Sequence, residues 1–255
     1  MINFRRFWAL FWKESYRFLK VYGQTIFSPV ITALLYFLVF GSALGSQIKE
    51  LDGIPYSAFV VPGLMLLQSI NNAYLNPSSS LIISKYHHTQ SDILMPPLTA
   101  VEKTLGFGLS GAVRGFMVAF IIWLIYATWS GDFSIKNPFA FWSIIFLGNL
   151  IFSLIGTFWG TLSQTFDQLN GFSVFVLLPM SFLGGTFYNL EILPPLAAKL
   201  TLFNPFFYLV DGARNALFGV GDLSMEIIWM VLVLGNIFLL WLVWFSFCRG
   251  WGMKS

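Results

Sequence analysis

Charge is what this sequence has least of. Only 10% of its 255 residues are Asp, Glu, Lys or Arg, where a soluble globular domain carries about 25%. So few charges cannot coat a water-soluble globule of this length, and 57% hydrophobic residues exclude a disordered chain. Cysteine is almost absent. Cys248 stands alone, so no intrachain disulfide forms and no zinc cluster can be built from thiols. Histidine is limited to His87 and His88, too few for a membrane enzyme that holds iron or zinc by several imidazoles. No GxxxxGK[ST] occurs, so the chain carries no P-loop of its own, and GxSxG and HExxH are missing too. What is present is apolar and aromatic: 29 Phe, 10 Trp and 9 Tyr. The class that remains is an integral membrane protein.

The first segment, residues 2–22, places Phe4, Phe7, Trp8, Phe11, Phe18, Leu19 and Tyr22 at helical spacings, with Arg6, Lys13, Arg17 and Lys20 on the opposite face. Basic residues spread through it, and no small-residue cleavage site follows, so it is not a cleavable signal peptide. It reads as an amphipathic interfacial helix; the alternative is an extended first turn of the next span. Apolar runs of spanning length follow at 25–44, 58–75, 104–129, 138–162, 171–188 and 226–247. The second is interrupted by Gln68, Ser69, Asn71, Asn72 and Asn76. Between the second and third lies a polar stretch, Pro77 to Thr99, with a short helical piece at Leu81–Leu94 before Pro96-Pro97. Residues 189–225 hold apolar runs too short to span, which suits short interfacial or re-entrant helices on the outer face. The expected fold is all-α: six transmembrane helices in a single domain.

Six spans put both termini on one side. With the termini in the cytosol, Arg5, Arg6, Lys13, Arg17, Lys20, Lys85, Lys103, Arg249 and Lys254 face the cytosol, against Lys49, Lys136, Lys199 and Arg214 outside. Most acids fall outside. The positive-inside rule therefore predicts an N-in, C-in topology. The net charge of +3 is orientation signal, and nucleic acid is not an expected partner.

Several patterns have two readings. Gly106, Gly108 and Gly111 match GxGxxG, but inside an apolar span rather than between a strand and a helix. Gly111 with Gly115, and Gly156 with Gly160, instead suit close helix packing. Ser84, His87, His88 and Asp92 share a loop without the scaffold or oxyanion hole a hydrolytic triad requires; surface contacts account for them better. Arg114 costs about 2.5–3.5 kcal/mol at a helix centre on insertion scales. It faces the interior, an aqueous cavity or a partner, or else snorkels to the interface. Gln68, Asn71 and Asn72 form a polar stripe that lines either a substrate path or a helix seam.

The run from Leu177 to Gly219 is the most specific pattern: Pro179, Gly184-Gly185, Leu193-Pro194-Pro195, Asn204-Pro205, Asp211 and Arg214. It resembles the C-terminal half of ABC-2 type ABC transporter permeases, the membrane subunits of bacterial drug-resistance, nodulation-factor and polysaccharide exporters. The resemblance extends over essentially the whole chain. It implies that residues 78–98 form a cytosolic coupling loop, with Tyr86, His87, His88 and Asp92 contacting a separate ABC ATPase. It also implies two permeases with two ATPase subunits, hence a homodimer in the bacterial plasma (inner) membrane and in contact with lipid. ATP and Mg would bind the partner subunit, and this chain would bind no cofactor and no metal and hold no catalytic residue. Pro179, Gly184, Gly185, Pro194, Pro195, Asn204, Pro205 and Arg214 would be structural, and Gln68, Asn71, Asn72 and Arg114 would line the path of a bulky amphiphile. A non-transporting membrane subunit and a lipid-acting membrane enzyme are the competing expectations.

Overall fold

The computed structural model describes residues 3–44, 50–87 and 98–252, with the side chains of 41–44 and 191 left aside. These residues are almost entirely helical. In chain order, α1 is Phe4–Lys20. The helix α2 runs through three segments, Gly23–Phe27, Ser28–Tyr36 and Phe37–Leu44. A two-residue hairpin follows, with β1 (Glu50–Leu51) antiparallel to β2 (Ile54–Pro55). Then come α3 (Tyr56–Phe59), α4 (Val61–Tyr86), α5 (Ala100–Ser130) and α6 (Pro138–Leu162). Next is α7, in three segments: Phe166–Phe172, Ser173–Leu177 and Leu178–Phe182. After a short 3-10 turn, Leu190–Ile192, the chain ends with α8 (Pro195–Leu202), α9 (Pro205–Phe218) and α10 (Met225–Arg249).

Among the described residues, five stretches are long and apolar enough to cross a membrane: Gly23–Phe40, Tyr56–Tyr86, Ala100–Ser130, Pro138–Leu162 and Met225–Arg249. The span expected at 138–162 coincides with α6, because Asn137 caps the helix by accepting from Ala140 N, Pro138 supplies a preorganised first residue, and Ser163 turns extended. The span expected at 171–188 differs. Its helix begins earlier, at Phe166 behind a Thr165 cap, and stops at Phe182. Segments of seven, five and five residues lie at the lower edge of spanning length.

The larger correction concerns α4. The expected second span, 58–75, and the polar stretch after it are one continuous helix through Pro77 to Tyr86. The serines that mimic a loop in sequence are buried and hydrogen-bonded: Ser78 Oγ donates to Tyr74 O (2.8 Å), Ser80 Oγ to Glu14 Oε1 (2.8 Å) and Ser84 Oγ to Leu81 O (2.7 Å). A polar residue satisfied inside the bundle costs little. Residues 78–86 of the expected coupling loop are therefore helical, and of its expected contact residues His88 and Asp92 lie outside the described residues, as do Pro96-Pro97.

α4, α5 and α6 form the centre, and glycines set how closely they meet. A Cβ on Gly156 would sit on the Tyr74 carbonyl, with the Tyr74 carbonyl carbon and Cα at 2.9 Å. A Cβ on Gly160 would come within 2.8 Å of Ser78 Cα, on Gly111 within 2.7 Å of Ala73 O, and on Gly115 within 2.7 Å of Ser69 O. Both glycine pairs thus seat helix backbones against α4, as the four-residue spacing predicts. In contrast, α2 and α10 keep wide apolar faces exposed, including Ile31, Leu35 and Leu38 on one and Leu234, Ile237 and Trp241 on the other.

The amphipathic α1 packs Leu10, Glu14, Ser15 and Phe18 inward and leaves Phe4, Trp8, Trp12 and Tyr16, each one turn apart, exposed. Phe4 stacks on Trp8 and Trp8 on Trp12. That ladder is suited to a headgroup layer. Arg17, expected on the basic outer face, is turned inward instead, because Glu14 and α4 hold it.

Candidate functional site

A cavity of about 430 Å³ lies between α2, α4 and α7, with Arg114 of α5 and Phe152 of α6 completing its wall. All four residues read as a possible path, Gln68, Asn71, Asn72 and Arg114, line it. Gln24, Ser28 and Thr32 of α2 and Ser173 and Ser181 of α7 add polar groups, while Pro29, Tyr36, Leu67, Leu177 and Phe206 make it half apolar.

Two of the helices that line it, α2 and α7, are locally widened in the same way. In each, a π-helical turn precedes a proline: Gly23–Phe27 before Pro29, and Ser173–Leu177 before Pro179. The wider turn is closed by Ser28 N–H on Gly23 O in one helix and by Leu178 N–H on Ser173 O in the other. Proline crowds the carbonyl of the preceding turn and lacks its own donor, and one extra residue per turn relieves both. Ser28, Pro29, Ser173 and Leu178 of these turns face the cavity.

Arg114 is half-buried and held at the cavity wall. Its Nη2 donates to Asn72 Oδ1 (2.9 Å), Nη1 lies 3.5 Å from Asn76 Oδ1, and its buried Nε has no partner. Asn72 Nδ2 donates to Gln68 O (3.0 Å). Ser173 Oγ donates to Asn71 Oδ1 (2.7 Å), which ties α7 to α4. The stripe is therefore partly a seam and partly an open lining. Arg114 does not snorkel: its partners are interior amides.

Three further residues extend this cluster and were not singled out by sequence reasoning. Asn76, fully buried, donates to Ser110 Oγ (3.3 Å) and accepts from Arg17 Nη2 (3.2 Å). Arg17 also donates to Asn76 O (2.5 Å), to Ser79 Oγ (3.3 Å) and to Glu14 Oε2 (3.1 Å). A polar chain thus runs from α1 through Glu14, Arg17 and Asn76 to Arg114 at the cavity. Signals existed in sequence: Asn72 and Asn76 are one turn apart, and Glu14 is the only acid in a basic helix. Their meeting across 59 residues has no local signature.

The loop between α4 and α5 is anchored at both ends. Lys85 Nζ, buried, donates to Gly160 O (3.2 Å), Thr161 O (2.5 Å) and Ser163 O (2.8 Å), the unsatisfied carbonyls at the end of α6. At the other end, Thr99 and Glu102 form a capping box on α5, and Glu102 Oε1 accepts from Asn3 N (2.6 Å) at the start of α1. Tyr86 and His87 follow Lys85, exposed and in edge-to-face contact with each other.

At the opposite end five of the expected structural residues, Gly184, Gly185, Asn204, Pro205 and Arg214, lie in one cluster. Arg214, fully buried in α9, donates from Nη2 to Gly185 O (2.7 Å) and lies 3.6 Å over the Phe59 ring. Gly185 has φ +72°, a conformation that favours glycine, and a Cβ on Gly184 would overlap the Phe206 ring. Asn204 caps α9 by accepting from Phe206 N (3.0 Å) and donates to Met180 O (2.6 Å), with Pro205 as first helical residue. Pro194 is the N-cap of α8 and Pro195 its first residue. Asp211 accepts from Asp222 N (2.7 Å) and Leu223 N (3.0 Å); burial pushes its carboxyl above the usual carboxylate range against those two bonds.

Comparison with known proteins shows the family. The family model of the ABC-2 type transporter matches residues 5–218. The inner membrane transport permease YadH of Escherichia coli (strain K12) is 32% identical over 254 residues, covering 100% of this chain and 98% of that protein. Nodulation protein J of Neorhizobium galegae is 22% identical over 224 residues, covering 86% of this chain and 85% of that protein. Nodulation protein J of Rhizobium meliloti (strain 1021) is 22% identical over 214 residues. With its apolar helices and near-full-length match, the chain is a membrane permease and belongs to the ABC-2 type transporter family.

Proposed function

We propose that this permease works as the membrane half of an exporter, moving a bulky amphiphile along the α2–α4–α7 cavity under the drive of a separate ATPase. The observation that carries the reading is the cavity itself: Gln68, Asn71, Asn72 and Arg114 face one volume of about 430 Å³, within the range of small-molecule sites. Polar and ionisable groups kept inside an apolar bundle mark transported-ligand routes. With no P-loop in the sequence, hydrolysis falls to a partner chain.

In this reading α7 is the fifth of six spans and both termini are cytosolic, as the distribution of Lys and Arg supports. Two copies pair by a twofold axis, the commonest solution for a small chain, and two ATPase subunits join them. Tyr86 and His87, together with His88 and Asp92, contact the ATPase. Its motion has two routes into the bundle. Lys85 passes displacement to the end of α6, and Glu102 passes it to α1 and so, through Arg17 and Asn76, to the cavity. ATP hydrolysis and Mg stay on the partner. The relative named a transport permease supports transport over a purely anchoring role.

The test is accessibility of the cavity. In a Cys248→Ser background, Thr32→Cys places a thiol on the lining. Labelling by an aqueous maleimide is expected to change at least threefold between ATP-free and vanadate-trapped complexes. Equal labelling in both states would remove the cavity from the path.

A further inference from the structure

The charge of the cavity narrows its ligand. Among the described residues, Arg114 is the lone ionised group on the lining, which includes no Asp or Glu. Among the described residues, the carboxylate nearest its cluster, Glu14, is already engaged by Arg17 at 3.1 Å and by Ser80 at 2.8 Å. Arg17 and Arg114 share Asn76 Oδ1 as acceptor, at 3.2 and 3.5 Å. Two guanidiniums therefore converge on neutral amides with one counter-charge between them. An arginine at low dielectric holds its proton and, with unused N–H groups, pairs best with an oxyanion, which it can grip through two parallel bonds. The other half of the same cavity is apolar, with Tyr36, Leu67, Leu177 and Phe206 facing it.

We propose that this cavity binds an anionic amphiphile, with an oxyanion head on Arg114 and the tail along the α2–α7 wall. This deepens the translocation reading and rests on it for the ligand's onward movement, but not for its binding. A cationic amphiphile is disfavoured by the same uncompensated charge.

The test uses the full chain in nanodiscs of zwitterionic lipid. Dodecyl phosphate, dodecyltrimethylammonium and inorganic phosphate are titrated and retention is read by native mass spectrometry. Dodecyl phosphate is expected to bind saturably, at least tenfold tighter than the ammonium analogue, and Arg114→Gln to weaken it at least tenfold while Arg114→Lys retains part of it. Inorganic phosphate is expected not to compete, since it lacks the tail. Should Arg114→Gln fail to fold, Gln68→Glu answers the same question: an acid on the lining inverts the preference toward the cation. Unchanged binding in Arg114→Gln, equal binding of the two amphiphiles, competition by inorganic phosphate, or an unaltered preference in Gln68→Glu each overturn the proposal. A failure of the translocation reading looks different: dodecyl phosphate binds as stated, yet ATP leaves the Thr32→Cys labelling unchanged.

Discussion

Replacing Gly156 by Ala adds one methyl group where α6 meets α4, and the outcome can be worked from the contact. The new Cβ would overlap the Tyr74 carbonyl oxygen and lie 2.9 Å from two further backbone carbons. Carbon atoms rest about 3.5–4.0 Å apart, so the helices must separate by roughly 0.6–1 Å to accommodate it. The obstacle is backbone, which cannot rotate aside. Overpacking of this kind costs about 1–3 kcal/mol, and a rigid neighbour puts Gly156 near the top of that range. Alanine returns about 1 kcal/mol through helix propensity, leaving a net loss of about 2 kcal/mol. Gly171 of α7 is the internal control, because nothing lies within 4 Å of its would-be Cβ. There Gly171→Ala retains only the propensity gain, up to about 1 kcal/mol. Tryptophan-monitored unfolding in dodecylmaltoside with increasing SDS reads both variants. Opposite shifts of the midpoint are expected, and a Gly156→Ala protein as stable as the parent would refute the packing argument.

Other substitutions test the site and its connections. Lys85→Met removes the donor to three carbonyls at the end of α6; at about 1–3 kcal/mol for each unsatisfied group, reduced by rehydration at the bundle end, about 2–3 kcal/mol should be lost, read by the same unfolding assay. Glu102→Ala abolishes the α5 capping box and the bond to Asn3, so proteolysis within α1 should accelerate severalfold, with a stability loss of about 1–2 kcal/mol. Arg214→Lys keeps the charge but loses the planar stack on Phe59 and the aim at Gly185, and should cost about 2 kcal/mol. Alanine at Tyr86, His87, His88 and Asp92 together should leave membrane insertion intact and suppress ATP-dependent transport at least tenfold; normal export by that variant would displace the coupling assignment.

How much of this was legible in sequence depended on whether a residue's burden was local. Asn137, Pro138 and Ser163 mark the ends of α6 by cap chemistry, so its limits were readable to the residue. Gln68, Asn71, Asn72 and Arg114 stood out as either a path or a helix seam because polar groups in an apolar span are costly wherever they point, and they line one cavity. The course of α4 beyond Pro77 was not. Its serines look like a loop until Glu14, Tyr74 and Leu81 are seen to accept from them. Arg17 and Glu14 were hidden for the same reason, since their inward turn depends on Asn76 and Ser80 of a distant helix. The short α7 misled in the other direction: residues up to Tyr188 are apolar enough to extend it, but the turn at Gly185, held by Arg214, ends it sooner.

Purifying the tagged chain from its native cell in gentle detergent shows whether a separate ATPase drives a cavity-lined path through this ABC-2 permease. A P-loop ATPase is expected to co-purify in equal amount, with ATP hydrolysis that falls when Tyr86, His87, His88 and Asp92 are replaced. A homogeneous chain with no ATPase across several detergents and salt concentrations would contradict it.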